Sequence, residues 1–177
     1  EIFWLIVTSI SAERGWSDIT VNKRAEEIAN VANKYRFSEV FELQFPTTKL
    51  DTLPHSDLIN KVGEVYKKVK PEIIYMPFSK DVHTDHQLTA QAIQSTIKWF
   101  RYPYIKKVLM YETPSETEFN FIEQRAFHPN VFVDISKYLE SKIETMKIYE
   151  GEIDDFPFPR SEKTMRSLAA FRGSQSG

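Results

Sequence analysis

The sequence has no cysteine, and this excludes disulfide bonds, thiolate metal ligands and cysteine nucleophiles. Any metal site must therefore be built from histidine, carboxylate and water. The longest apolar run, IFWLIV, is far shorter than the roughly 20 residues of a membrane-spanning helix, and it lacks the basic flank of a signal peptide. No membrane span is predicted, and we expect a cytoplasmic location.

The sequence also lacks an excess of charge of either sign. Its formal net charge is -2, from 23 Lys and Arg against 25 Asp and Glu. This balance predicts neither a basic surface for nucleic acid nor a disordered acidic tail. The length of 177 residues suits a single domain, residues 1–177. Because the chain opens at Glu1 in a strand-like run and closes on GSQSG, we expect it to be a stretch of a longer polypeptide.

Strand-like and helix-like segments alternate through most of the chain. The helical spacing of apolar residues predicts helices over 21–36, from about 56, and over 85–100, 137–150 and 162–172, the last stopped by Gly173. The predicted strands are EIFWLIVTS, EVFELQF, EIIYMP, KKVLMYE and NVFVDI. Such alternation is typical of an α/β fold with a parallel sheet covered by helices on both faces.

The segment PFSKDVHTDHQ, residues 77–87, holds two of the four histidines. It follows the apolar run EIIYMP, and α/β folds place their sites beyond the carboxyl ends of strands. Thr84 and Gln87 have the spacing of a capping box, which would start a helix at Thr84. His83 and His86 can then face one cleft, with Asp85 between them as an acceptor that orients a ring.

Simpler interpretations remain open at this point. The segment could be a polar helix-capping turn with solvated histidines, since two histidines and one aspartate do not complete a catalytic zinc site. His55 and His128 are each isolated, which favours structural or solvated roles. Arg24 and Glu27 have the spacing of an ordinary pair on a helix surface.

Taken together, the segments resemble the PIG-L/LmbE-type metal-dependent deacetylases. The resembling segments are RAEEIANVANKYRF, KPEIIYMPFSKDVHTDHQLTAQAI with its His-x-Asp-His motif, YETPSETEF, FHPNVFVDISKYLESKIETMKIY and the closing RGSQSG. The resemblance implies a three-layer α/β/α Rossmann-like hydrolase with a mostly parallel sheet. Members of the family are usually zinc-dependent and remove acyl groups, most often acetyl, from the nitrogen of amino sugars.

The resemblance also implies roles for individual residues. His86 would bind the metal, and His83 would stabilise the tetrahedral intermediate or protonate the leaving amine. Asp85 would orient His83. Arg24 would lie near the substrate or brace the site. Asp81, which replaces a tyrosine of some family members, becomes a second candidate for substrate binding.

One family motif, Ala-His-Pro-Asp-Asp-Glu, does not occur in this sequence. It supplies the other metal ligands, the general base and a central strand, and we expect it upstream of EIFWLIV. The leading hypothesis is a hydrolase that uses a divalent metal, with zinc expected, to release an N-acyl group from an amino sugar or glycoconjugate. A catalytically silent binding or scaffold domain is the alternative. Ester or phosphate hydrolysis on the same loop, and a homo-oligomer, also stay open.

Overall fold

The computed structural model describes residues 1–177 and divides into two compact units. The first unit comprises residues 1–18 and 37–127, and the second comprises residues 19–36 and 128–177. The strands are β1 (Phe3–Ser9), β2 (Glu39–Pro46), β3 (Ile73–Pro77) and β4 (Lys107–Tyr111). The helices are α1 (Asp18–Tyr35), α2 (His55–Val69), α3 (Thr84–Thr96), α4 (Leu139–Met146) and α5 (Glu162–Ser176).

All four strands belong to the first unit and form two parallel pairs. β1 pairs with β2, and β3 pairs with β4, as two separate two-stranded sheets. The β3 and β4 strands are connected through α3, which is the usual way to join parallel neighbours. The α/β class is therefore confirmed, whereas the three-layer Rossmann-like arrangement and the single domain stay predictions.

The core of the first unit lies between helices α2 and α3 and strand β3. Leu58, Val62 and Tyr66 recur every four residues along α2, so they share one buried face. Met76 of β3 and Ile93 of α3 pack in the same cluster. Full burial of a side chain such as Val62 contributes roughly 1.5–3 kcal/mol. This packing holds the start of α3, and with it the histidine segment, against the end of β3.

A bulge near the end of β2 redirects the chain toward the histidine segment. The register of β1 with β2 shifts between Ile6 and Thr8, and Gln44 has a positive φ of 57°. Thr48, in the loop after β2, also has a positive φ, of 58°. Bulges of this kind bend a strand and re-aim the residues that follow it.

The second unit is helical. It contains α1 from Ile19, α4 and α5, with Val31, Ile143 and Met165 buried on those helices. Helices α4 and α5 contact each other, and Arg166 of α5 donates to both carboxylate oxygens of Glu140 at 2.6 and 2.7 Å. No helix in the protein has the length and apolar character needed to cross a membrane.

Several sequence-based predictions of elements are wrong. NVFVDI forms no strand, and Val133 there is 69% exposed. EIIYMP is a strand with one exposed face, because Ile73 and Tyr75 are 49% and 65% exposed. Gly173 does not stop the last helix, which continues to Ser176, and α3 ends at Thr96, four residues early. Apolar composition alone could not distinguish a strand from an extended coil in NVFVDI.

Candidate active site

The carboxyl ends of three strands meet at the histidine segment. Residues 78–83 follow β3, residues 112–117 follow β4, and residues 47–50 follow β2. Hydrogen bonds join the first of these loops and the start of α3 to the other two. This is the edge at which α/β folds hold their ligands, and the sequence-based placement of the segment relied on the same rule.

Asp81 is at the centre of this region. Its side chain is 0% exposed, and both carboxylate oxygens are occupied. Thr117 donates its hydroxyl to Oδ1 at 2.7 Å, and Nδ1 of His86 lies 2.9 Å from Oδ2. The predicted contact of Asp81 with substrate stays a prediction that this burial disfavours. Its present contacts make it the partner of His86.

The contact with Asp81 determines which nitrogen of His86 is free. A carboxylate accepts hydrogen bonds, so Nδ1 of His86 carries the proton that it shares with Asp81. In a neutral ring Nε2 is then left with its lone pair. An imidazole held in this way by a carboxylate is the usual arrangement of a metal-binding histidine. The predicted metal role of His86 therefore has a favourable geometry.

His83 is the opposite tautomer to His86. Its Nδ1 accepts a hydrogen bond from the backbone N–H of Asp85 at 3.1 Å, so a neutral ring carries its proton on Nε2. The rings of His83 and His86 stack, with centroids 4.8 Å apart and an angle of 18° between their planes. One ring therefore offers a lone pair and its neighbour offers a proton.

The carboxylate of Asp85 does not bond to His83. It accepts from the backbone N–H of Thr48 at 2.7 Å and more weakly from that of Leu50 at 3.4 Å. Asp85 thus orients His83 through its backbone, while its buried side chain ties the loop after β2 to the start of α3. The catalytic role of Asp85 stays a prediction, and the sequence could not indicate this division between backbone and side chain.

The predicted capping box is wrong by one residue. The N-cap of α3 is His83, whose ring accepts from Asp85, and Thr84 is already helical. Gln87 does not reach back to the cap, because its side chain donates to the carbonyl oxygen of Asp81 at 2.5 Å. A histidine at the N-cap is uncommon compared with Ser, Thr, Asp or Asn, which is why the sequence pattern favoured Thr84.

Comparison with known proteins identifies the family of this chain. Residues 3–97, more than half of the chain, match the family model described as PIG-L, GlcNAc-PI de-N-acetylase. The chain belongs to the PIG-L family. The matched range includes β1, β2, β3 and α3, so it contains Asp81, His83, Asp85 and His86.

Solved structures support the fold of this PIG-L family member. N,N'-diacetylchitobiose deacetylase from Pyrococcus horikoshii is similar with a TM-score of 0.68 at 17% identity, over 100% of this chain and 69% of that one. A conserved protein from Thermus thermophilus gives 0.65 at 17% identity, over 97% and 74%. The 4-carboxy-2-hydroxymuconate hydratase of Pseudomonas putida gives 0.64 at 17% identity, over 99% and 88%. Since a hydratase shares the fold, the reaction must be argued from the site.

The site contains a suitable type of metal ligand but too few ligands for a complete metal site. His86 presents a neutral imidazole nitrogen, which suits zinc and several other divalent metals. No group of three or more His, Cys, Asp or Glu in the structure could hold a metal ion. A catalytic zinc normally takes three protein ligands, so His86 fits as one member of a larger set.

Two further residues lie near the site. Thr117 contacts Asp81 directly, and Tyr111 ends β4 at the same edge of the sheet. Tyr111 is 46% exposed as a whole, but desolvation of its hydroxyl raises its pKa, and the negative charge of Asp81 adds to that shift. Both residues lie at or just after the carboxyl end of β4. The predicted strand KKVLMYE, together with the rule for the carboxyl ends of strands, could have identified them.

Arg24 lies in the second unit and is already paired there. Its guanidinium contacts Glu27 at 3.3 Å and donates to Glu152 at 2.7 Å, and it lies 5.2 Å from the ring centre of Tyr149. Glu152 also accepts from Arg160 at 3.0 Å. The Arg24–Glu27 pair expected from helical spacing is present, whereas the substrate role of Arg24 stays a prediction.

Proposed function

We propose that this protein is a metal-dependent hydrolase that releases an N-acyl group, with acetyl expected, from an amino sugar or glycoconjugate. The observation that carries the proposal is the pair of stacked imidazoles that are held as opposite tautomers. His86 is tied through Nδ1 to the buried Asp81, and His83 is tied through Nδ1 to a backbone N–H. Membership of the PIG-L family supports a deacetylase-type reaction.

His86 would serve as a metal ligand through its free Nε2. Asp81 keeps the ring from rotating and keeps the proton on Nδ1, so the lone pair stays directed away from the protein core. When bound, a divalent cation such as zinc would polarise the acyl carbonyl and lower the pKa of a coordinated water. The other ligands and the general base belong to the motif that the family resemblance implies.

His83 would act as the proton donor of the reaction. Its Nδ1 is occupied by the Asp85 N–H, so the proton of the neutral ring is on Nε2. From there it can donate to the carbonyl oxygen as negative charge develops, or to the nitrogen of the leaving amine. Tyr111, with its raised pKa, is a protonated hydroxyl at the same edge of the sheet.

The proposed substrate class rests on the names of relatives. The family model is described by an N-acetylated glucosamine lipid, and the Pyrococcus horikoshii structure by an N-acetylated disaccharide. Both names contain an acetamido sugar, so a compound of this kind is the natural first substrate to test. Zinc as the metal, the cytoplasmic location and assembly into an oligomer stay predictions.

The test is release of acetate from N-acetylglucosamine and N,N'-diacetylchitobiose, with and without added zinc. We expect acetate and free amine in equal amounts, and loss of both in His83→Gln and His86→Ala. Acetyl esters and phosphate esters are assayed in parallel. Cleavage of those esters without any amide cleavage would overturn the proposed reaction, and no turnover with any substrate under zinc would indicate a silent domain.

A further inference from the structure

The side chain of Thr117, in the loop after β4, reaches the histidine segment. We propose that Thr117 is a positioning residue that fixes the tautomer and direction of His86 through Asp81. Its meaning for catalysis rests on the proposed function. The geometric claim stands on the hydrogen bonds alone, which run from Thr117 to Oδ1 of Asp81 and from Oδ2 to Nδ1 of His86.

The proposal begins with the complete burial of Asp81. A carboxylate removed from water must have its oxygens paired within the protein. Thr117 donates to Oδ1, and His86 donates to Oδ2. The two donors therefore fix the carboxylate plane together. If either donor is removed, the carboxylate can rotate, and its hydrogen bond with the remaining donor changes in direction and strength.

The direction of the Thr117 hydroxyl is itself fixed. Its oxygen accepts a hydrogen bond from the backbone N–H of Thr113 at 2.7 Å. A hydroxyl has one proton, and with the acceptor side occupied that proton is directed to Asp81. Thr117 is also buried, so no solvent competes for it. The series therefore ends on a carboxylate that accepts at both oxygens, at Oδ1 from Thr117 and at Oδ2 from His86.

The segment that carries Thr117 is anchored to the histidine segment at further points. The N–H of Val82 donates to the carbonyl oxygen of Glu116 at 3.4 Å. The side chain of Asn120 donates to the carbonyl oxygen of Lys80 at 2.5 Å, and Lys80 donates to that of Gln124 at 3.0 Å. These contacts hold the backbone in place without Thr117. The hydroxyl can therefore be removed while the two segments stay together.

The experiment compares Thr117→Val and Thr117→Ser in the full polypeptide. Valine keeps the shape of threonine and removes the hydroxyl, whereas serine keeps the hydroxyl. Nitrogen chemical shifts of the His86 imidazole, measured by NMR without metal, report which nitrogen carries the proton. We expect a single form protonated on Nδ1 in the wild type, a mixture in Thr117→Val, and recovery in Thr117→Ser. Zinc affinity should fall roughly tenfold in the valine variant and recover in the serine variant.

Thr96→Val is the matched control. Thr96 is a buried threonine of the same unit whose hydroxyl donates to the carbonyl oxygen of Ile93 within α3. Its substitution should leave the His86 signals unchanged. Thr117→Val with the wild-type tautomer and wild-type zinc affinity would overturn the proposal.

A second measurement needs no variant. If Thr117→Val does not fold, the hydroxyl proton of Thr117 can be observed in the wild type. We expect slow exchange with solvent and a through-space contact to His86 or Asp81, and a rapidly exchanging hydroxyl would contradict the proposal. These readouts do not depend on turnover. Failure of the acetamido-sugar assay with the NMR results intact would therefore reject the proposed function and leave the role of Thr117 standing.

Discussion

One buried carboxylate of the first unit, Asp81, and one of the second unit, Glu27, are paired in different ways. Asp81 in the first unit is paired with a hydroxyl and an imidazole. Glu27 in the second unit is paired with the guanidinium of Arg24, which also binds Glu152. An imidazole that gives one nitrogen to a carboxylate retains a second nitrogen for other chemistry. A guanidinium has only donors, and here two carboxylates already engage it.

This difference in pairing indicates that the histidine segment is suited to chemistry, whereas the cluster around Arg24 is suited to stabilising the second unit. At the histidine segment, partners are arranged so that one nitrogen of each ring remains available. Around Arg24, opposite charges compensate each other, and a ring of Tyr149 covers the guanidinium. Substitutions at the first cluster should therefore alter metal binding and turnover. Substitutions at the second should mainly alter the free energy of unfolding.

His86→Ala should give the largest effect. The variant removes the free Nε2, so zinc affinity should fall by more than the roughly 10- to 100-fold typical for the loss of an outer partner. It also leaves Oδ2 of Asp81 buried without its donor, which costs about 1–3 kcal/mol of stability. Metal content by elemental analysis and thermal unfolding measure the two effects.

The control for this variant is His128→Ala. His128 is exposed in a coil, so its loss should change neither metal content nor stability. Zinc retained by His86→Ala at the wild-type level would mean that the free nitrogen of this ring is not a ligand.

Asp81→Asn tests the same cluster more finely. The asparagine oxygen can still accept from Thr117, but its amide nitrogen then donates toward His86 and requires Nδ1 to accept. The proton of His86 moves to Nε2, and the lone pair needed for a metal is lost. We expect a roughly 10- to 100-fold loss of zinc affinity and a reversed tautomer in imidazole NMR.

Asp85→Asn is the comparison for that variant. The carboxylate of Asp85 accepts from backbone N–H groups and does not contact His86. The His86 tautomer should stay as in the wild type. If Asp81→Asn keeps the proton on Nδ1, the assignment of Asp81 as the orienting partner is wrong.

Arg24→Met should act on stability. It leaves Glu27, which is 6% exposed, as a buried carboxylate without its partner. Breaking a buried pair on one side costs about 3–5 kcal/mol, and we expect about 2 kcal/mol because the side chain of Arg24 is 36% exposed. Urea unfolding measures the loss, and Arg24→Met combined with Glu27→Met should recover most of it.

Kinetics sharpen the result for Arg24. If the arginine only braces the second unit, kcat and KM should be unchanged at temperatures where the variant is folded. A KM raised tenfold or more, with unfolding unchanged, would support the substrate contact that the family resemblance implies and would contradict the bracing role.

The sequence predicted the positions of the site residues better than their contacts. Strand β3 and helix α3 were visible from local patterns, and the rule for the carboxyl ends of strands placed His83 and His86 correctly. The hydrogen bond from Thr117 to Asp81 spans 36 residues of sequence, and no local pattern reports such a pairing. The same limit applies to the hydrogen bond from the N–H of Thr48 to Asp85, which spans 37 residues of sequence.

The prediction of strands failed where strand formation depends on pairing with a neighbouring strand. NVFVDI has the composition of a strand, but a strand exists only when a neighbour pairs with its backbone, and none does here. EIIYMP does form a strand as predicted, but the face that carries Ile73 and Tyr75 is exposed. Composition indicates what a segment can become, whereas pairing and burial depend on residues far away in sequence.

The smallest predicted effect concerns acid stability in the second unit. Hydrogen bonds from Lys147 and Arg166 hold the pKa of Glu162 below its ordinary value of 4.5, and those from Arg166 lower the pKa of Glu140 in the same way. A lowered pKa in the folded state means that the contribution to stability is present above pH 4.5 and is lost as the pH falls below it. Arg166→Gln should therefore reduce the free energy of unfolding slightly at pH 7 and by less at pH 3.

The comparison that tests this effect is a pair of urea titrations at pH 7 and pH 3, each with and without added salt. All the carboxylates involved are at the surface, so salt should weaken the effect at pH 7. Lys61→Gln, which removes a surface pair with Glu64 on α2, is the control for the loss of a single exposed ion pair elsewhere in the protein. Equal losses for Arg166→Gln at both pH values would show that the side chain stabilises α4 and α5 by packing, because packing does not depend on carboxylate charge.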